Sequence, residues 1–267
     1  MIKNIVKRNG QIEAFDPNKV NGWGEWAAKT LGTYVDWASA VLHASTTLPE
    51  TCTSEDLQKA LIDYCISRDT WEYQRMAGRL YSALLSKTLY GAKKPTIKEL
   101  HARLYAVGLM KKMNFSDDDY AMAEKFIVHG RDLKMTHYQI QQLRKKYAIQ
   151  NRAAKLEYES PQFVYMRMAM ALAEDEGVNR MEIVKDFYDE FSLYRINPPT
   201  PNFTNLGTNL NGYASCCLYT TDDTWPSLAA GDHIAYAMTA MSAGIGSHIK
   251  TRSIGDPIRG GSILHQG

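Results

Sequence analysis

Four times in this chain a hydroxyl residue is followed, three positions on, by a carboxylate or amide and then by an apolar-periodic run: Thr53 with Asp56, Thr96 with Glu99, Ser116 with Asp119 and Thr136 with Gln139. The first turn of a helix leaves backbone N–H groups without partners. A Ser or Thr side chain accepts from one of them, and the acid or amide three residues later reaches back to the capping residue. Each pair therefore predicts a helix start. Behind Thr53, Leu57, Ala60, Leu61, Tyr64 and Cys65 fall on one stripe, the spacing of a single buried helical face. The run "WEYQRMAGRLYSALLSKTLYG" places Met76, Leu80, Ala83 and Leu84 in the same way. Asp16 followed by Pro17 opens a further helix whose stop signal is Gly32. Ser160-Pro161 opens another in "SPQFVYMRMAMALAED", and "EIVKDFYDEF" supplies Val184, Phe187, Tyr188 and Phe191. Met and aromatic residues at this spacing are core, not a cofactor box. The fold class is mostly α.

Strand signals are confined to the two ends. In "IVKRNGQIEAF" apolar residues alternate on both sides of Asn9-Gly10, a dipeptide suited to a type I′ turn, so a short hairpin is expected to lie on the first helices. After Asn197 the composition changes. "PPTPNFTNLGTNLNG" reads as a long loop, followed by a strand in "YASCCLYT", a helix centred on "HIAYAMTAM" and a Gly-bearing turn in "SAGIGSHI". That end is α/β in character. No internal repeat or low-complexity tract interrupts the pattern.

With 45% apolar and 22% charged residues, 267 residues can bury a full core, and the length suggests about two domains. A formal charge of +2 gives no global reason to expect nucleic acid or an anionic membrane as partner. No segment approaches a membrane-spanning run, and "MIKNIVKRNG" has no apolar stretch after its charges, so a cytoplasmic chain is expected. In that compartment the four cysteines are expected to be reduced. Cys65 sits on an apolar face and reads as core filling.

Three stretches could carry chemistry. The hairpin segment bears Lys7, Arg8, Glu13, Asp16 and Lys19, which could set cations against phosphates and carboxylates against a base or ribose, or could simply be a solvated, salt-bridged hairpin. Cys216 and Cys217 are adjacent on a strand, where side chains alternate, so the two sulfurs face opposite ways and do not form one dithiol. A strained vicinal disulfide and a buried inert thiol remain open readings. "SAGIG" could cradle a phosphate or permit close packing.

The motifs "VKRNGQIEAFDPNKV", "ISRDTWEYQRMAGRL", "IQNR", "YESPQFVY", "PPTPNFTN", "ASCCL", "SAGIG" and "IGDPIRGG" resemble, in order and near spacing, the large catalytic subunit of class I ribonucleoside-diphosphate reductases. The resemblance implies an ATP-cone over residues 1–91, a β-hairpin on a helical bundle that senses ATP and dATP. It implies a helical domain over 92–197 and, over 198–267, the first strands of an incomplete ten-stranded α/β barrel. In the cone, Lys7, Arg8 and Lys87 would meet the triphosphate, Glu13 and Asp16 the adenine, and Thr53 and Lys19 would line the pocket. Leu57 departs from the family, whose members commonly carry a His there.

The same resemblance makes Cys216 the first member of the redox-active pair and Cys217 a packing residue. It implies substrate contacts at Thr200, Ser215, Ala243 and Gly244, with Thr200 on the diphosphate and Ser215 near the ribose. A specificity site for deoxynucleoside triphosphates would comprise Asp223, Thr224, Trp225 and Arg252. ATP, dATP and dNTP effectors, with Mg, are the implied ligands; no covalent cofactor and no metal held by this chain is expected. The implied partners are a C-terminal half of the large subunit carrying the remaining catalytic cysteines, a small subunit with a metal-radical cofactor, and thioredoxin or glutaredoxin. The chain alone would then be inactive, one half of a split subunit acting on ribonucleoside diphosphates. A non-catalytic ATP/dATP-sensing regulatory protein is the alternative.

Overall fold

A computed structural model describes residues 2–241 and 243–267. It divides into two compact units, one reaching to Pro198 and including Phe203–Leu210, the other made of Pro199–Asn202 and Asn211–Gly267.

The first unit opens with β1 (Asn4–Val6) and β2 (Ile12–Ala14), an antiparallel hairpin, followed by α1 (Pro17–Ala28), α2 (Trp37–Thr47), β3 (Thr51–Thr53), α3 (Ser54–Ser67) and α4 (Trp71–Tyr90). β3 pairs in parallel with β1, giving a small sheet of order β2-β1-β3. The hairpin turn is not type I′, because only Gly10 takes positive φ, at 82°. Gly10 N–H donates to Lys7 O at 2.9 Å and Lys7 N–H to Gln11 O at 2.8 Å, a three-residue loop closed by a left-handed glycine. The Asn9 side chain accepts from Gln11 N–H at 3.1 Å and keeps Asn9 out of the left-handed region.

α1 begins as read, with Asp16 accepting from Asn18 N–H and Pro17 in its first turn, but it ends at Ala28, short of Gly32. The cause lies elsewhere in the chain. The Arg79 guanidinium of α4 donates to Ala27 O at 2.8 Å, to Lys29 O, and to Thr30 Oγ1 at 3.1 Å, satisfying the terminal carbonyls that further helix would otherwise occupy.

Then follow α5 (Ile97–Ala106), α6 (Asp117–Phe126) and α7 (His137–Gln142), the last running into a π turn at Leu143–Tyr147. All four reciprocal caps read from the sequence form: Thr53 with Asp56, Thr96 with Glu99, Ser116 with Asp119, Thr136 with Gln139. α4 serves both halves of this unit. It packs on α3, and a Cβ added at its Gly78 would lie 2.1 Å from Met135 O, so only glycine lets α7's lead-in approach. A short antiparallel pair, β4 (Gln150–Asn151) and β5 (Leu156–Glu157), precedes α8 (Pro161–Ala173) and α9 (Arg180–Ser192).

α8 is the centre of the unit, with every residue from Pro161 to Met170 buried. Arg167 lies wholly inside it. Its Nε donates to Glu159 Oε1 at 2.7 Å and Nη2 to Oε2 at 3.2 Å, while further donations reach Leu206 O and, at 3.0 Å, Phe203 O. Glu159 also accepts from Ile149 N–H at 2.7 Å. The loop expected after Asn197 contains a short helix, α10 (Thr200–Asn205), whose end these carbonyl contacts hold.

In the second unit, β6 (Cys216–Thr221), α11 (Trp225–Ala240) and β7 (Gly244–Ile249) form a strand–helix–strand crossover with the strands parallel. "SAGIGSHI" is thus largely a strand and not a turn: the Gly-rich run is what β6 needs beside it, since a Cβ at Gly246 would meet Leu218 Cδ2 at 2.5 Å. β8 (Pro257–Ile258) and β9 (Ile263–Leu264) form a separate antiparallel pair. The whole is mostly helical with small sheets. No helix among the described residues is long and apolar enough to cross a membrane.

Replacing Arg167 by Ala leaves Glu159 buried and unpaired, and should cost about 3–5 kcal/mol in a urea melt. Arg167→Met with Glu159→Gln should lose clearly less; equal losses would mean that packing, not charge, dominates. A second expectation concerns Asp132, which is buried, accepts from Gln162 Nε2 at 2.8 Å and has its pKa pushed up to about 7 by burial. The folded state keeps a proton that the unfolded chain releases, so this group's stabilising contribution falls as pH rises from the ordinary Asp range through about 7. Asp132→Asn should flatten that part of the stability–pH curve; an unchanged slope would refute the assignment.

Candidate functional site

Three groups of residues gather where chemistry was expected. The first lies where the hairpin, the start of α1 and the start of α3 meet. Lys7 Nζ is 2.8 Å and Lys19 Nζ 3.1 Å from the same oxygen of Glu13. Bonding first from Lys7 and then from Lys19 holds the Glu13 carboxyl below the usual carboxylate range. Arg8 lies 3.7 Å from Glu55, and Lys87 Nζ sits 5.4 Å from the centroid of the Trp23 ring. Burial, then Arg8 and Lys7, lower the Lys87 pKa, so three cations share one neighbourhood. Such a cluster of like charge is costly unless an anion joins it.

Lys7, Glu13, Asp16, Lys19, Trp23 and Leu57 are among the walls of a cavity of about 50 Å³. That is room for a water molecule or two, far below a nucleotide site. Two expected residues do other work: Asp16 Oδ1 accepts from Asn18 N–H at 2.9 Å as the cap of α1, and Thr53 Oγ1 donates to Asp56 Oδ2 at 2.7 Å in the cap of α3. Ser54, its neighbour, lines the cavity instead. Trp23 was not anticipated, although its place four residues after Lys19 puts both on one face of α1.

The second group is in the β6–β7 unit. Strand alternation separates the two sulfurs: Cys216 is exposed, whereas Cys217 is half-buried. Residues 217, 219 and 221 share one face, and Tyr219 and Thr221 border Gly231 of α11, so Cys217 faces that helix. On the opposite face, Leu218 is 85% exposed beside Cys216. Gly244 pairs with Cys216 across the strands, donates to Ser215 O at 3.0 Å, and would bring a Cβ to 3.4 Å from the Cys216 sulfur. Ser215 Oγ is 3.9 Å from that sulfur. Ser215, Cys216 and Gly244 thus form one accessible cluster, with Ala243 next in the chain; Thr200 stands at the first residue of α10.

In the third group Arg252 donates to Asp223 Oδ2 through Nε at 2.6 Å and through its backbone N–H at 3.1 Å. The guanidinium holds the Asp223 carboxyl below its ordinary range. Thr224 caps α11 by accepting from Ser227 N–H, and Trp225 is 80% exposed beside it. Arg252 and Asp223 are thus each other's partner. Among the described residues no group of three or more His, Cys, Asp or Glu side chains could hold a metal ion.

Residues 133–211 match the family model described as the ribonucleotide reductase all-alpha domain. The chain is 30% identical, over 98% of its length, to "Ribonucleoside-diphosphate reductase 1 subunit alpha" of Salmonella typhimurium, and 30% identical over 98% to the protein of that name in Escherichia coli. It is 30% identical over 99% of its length to "Ribonucleoside-diphosphate reductase subunit alpha" of Enterobacteria phage T4. It covers 36% of each of these relatives. Over nearly its whole length, then, the chain is similar to the N-terminal region of class I ribonucleoside-diphosphate reductase alpha subunits.

Removing the carboxylate that occupies Lys7 and Lys19 should expose them. Glu13→Gln is expected to tighten binding of inorganic tripolyphosphate about two- to fivefold by calorimetry, as befits an exposed pair. Weaker binding would show that Glu13 orients the lysines and does not compete for them.

Proposed function

We propose that this chain forms the nucleotide-sensing and substrate-facing part of a ribonucleoside-diphosphate reductase large subunit. In this reading residues 1–91 are the ATP-cone, where Lys7, Arg8 and Lys87 take the phosphates of ATP or dATP with Mg and Lys19 lines the pocket. Asp223, Thr224, Trp225 and Arg252 read a deoxynucleoside triphosphate. The substrate is a ribonucleoside diphosphate, with Thr200 toward its diphosphate and Ser215, Ala243 and Gly244 around the ribose. A C-terminal chain supplies the remaining catalytic residues and completes the barrel, and thioredoxin or glutaredoxin renews the thiols. The initiating radical comes from a small subunit with a metal-radical cofactor.

The observation that carries the reading is the exposed Cys216 sulfur, set between Ser215 and Gly244 on the uncovered face of a parallel strand pair. Reduction of the ribose breaks the 2′ C–O bond, forms a C–H bond and releases water. Its two electrons come from two thiols that end as a disulfide. Cys216 is one of them and gives a proton to the departing hydroxyl; its partner lies on the C-terminal chain. Cys217, turned toward α11, takes no part. The open face also favours an enzyme over a pure nucleotide sensor. Leu218, at 85% exposure, is an apolar side chain on that face that a covering polypeptide would bury.

In an assay with the C-terminal chain and small subunit of the same source, Cys216→Ser should abolish deoxyribonucleotide formation while Cys217→Ser keeps most of it. Equal losses, or activity surviving Cys216→Ser, would sink the assignment.

A further inference from the structure

Lys146 and, from the "IQNR" motif, Ile149, Gln150 and Arg152 are left without work by the reading above. They line a cleft of about 280 Å³ in the first unit, between the end of the π turn, β4 and the segment Thr204–Leu210. Its polar lining includes Lys146, Tyr147, Gln150, Arg152, Thr204, Thr208 and Asn209, with no carboxylate. This sets it apart from the hairpin and Asp223 groups, where glutamates and an aspartate occupy the cations. Among the described residues neither Lys146 nor Arg152 makes an ion pair.

Both cations are nonetheless held in position. Lys146 Nζ lies 5.4 Å from the centroid of the Tyr147 ring. Arg152 donates through Nη2 to Lys145 O at 3.0 Å, the carbonyl that Gln150 Nε2 also reaches at 3.1 Å. One corner of the guanidinium is thereby anchored, and its other N–H groups remain for a ligand. Asn209 Nδ2 is tied to Gly108 O at 3.1 Å and Thr208 Oγ1 to Asn205 O at 2.9 Å, so the far wall is ordered as well. Preset donors of this kind bind an anion with little further loss of side-chain freedom.

We infer that this cleft is a binding site for a small phosphate-bearing anion, of about the size of pyrophosphate, held by Lys146 and Arg152. The volume suits a compact ligand, and a fork of guanidinium N–H groups beside an ammonium matches phosphate oxygens. This site is separate from the proposed nucleotide sites.

Pyrophosphate titrated by calorimetry into the full chain carrying Lys7→Gln and Lys87→Gln, which removes two of the hairpin group's four cations, is expected to saturate one site and to bind more weakly as salt is raised. Adding Lys146→Gln and Arg152→Gln, both exposed and remote from the core, should weaken that binding at least about tenfold, the loss of one charge-assisted contact or more. Undiminished affinity in the fourfold variant overturns the proposal, as does absence of saturable binding before those two changes. Binding of a glutamate-rich peptide but not of pyrophosphate also overturns it, by assigning the cleft to a protein partner. ATP binding to the unaltered hairpin is measured separately, so either reading can fail while the other stands.

Discussion

The buried pairing of Arg167 with Glu159 is the constraint around which the first unit is arranged. A guanidinium in the middle of a helix that is buried on every side must have all its donors answered. Glu159 answers it on one edge, and the carbonyls of Phe203 and Leu206 on the other. Glu159 in turn fixes Ile149, just before β4. One ionic contact therefore ties the central helix to the segment behind the π turn and to the helix that follows Pro199. An apolar pair of equal volume could fill the same space, but it would not dictate where those carbonyls lie.

Carboxylates govern the cations elsewhere. Glu13 draws in Lys7 and Lys19, Glu55 faces Arg8, and Asp223 is bonded to Arg252. These contacts lie at the surface, are individually weak, and keep the basic residues from repelling one another. Lys87 has an aromatic ring for its neighbour instead, and a lowered affinity for its proton.

What could be read from the chain was what is decided locally. The four reciprocal caps formed because each needs only four consecutive residues, and the helical stripes buried largely as their spacing required. Cys65 is fully buried and its thiol pushed up to about 12 by burial, as befits core filling. The features missed are settled by distant partners. β7 is a strand because β6 lies beside it, and Gly246 is tolerated there because Leu218 needs the room. α1 stops where Arg79, some fifty residues on, takes its last carbonyls. The candidate site was legible in part: Lys7, Glu13 and Lys19 converge, whereas the Thr53 hydroxyl is already engaged with Asp56, and Trp23 gave only a weak signal through helical spacing.

The glycine at position 78 has one more implication. α4 is a single helix of 20 residues, about 30 Å long, stiff on the scale of its contacts. Near its middle Arg79 grips the end of α1, near its C-terminal end Lys87 rests against Trp23, and at Gly78 its backbone presses on the chain entering α7 with no side chain between as cushion. The hairpin end and the chain entering α7 thus bear on one and the same helix.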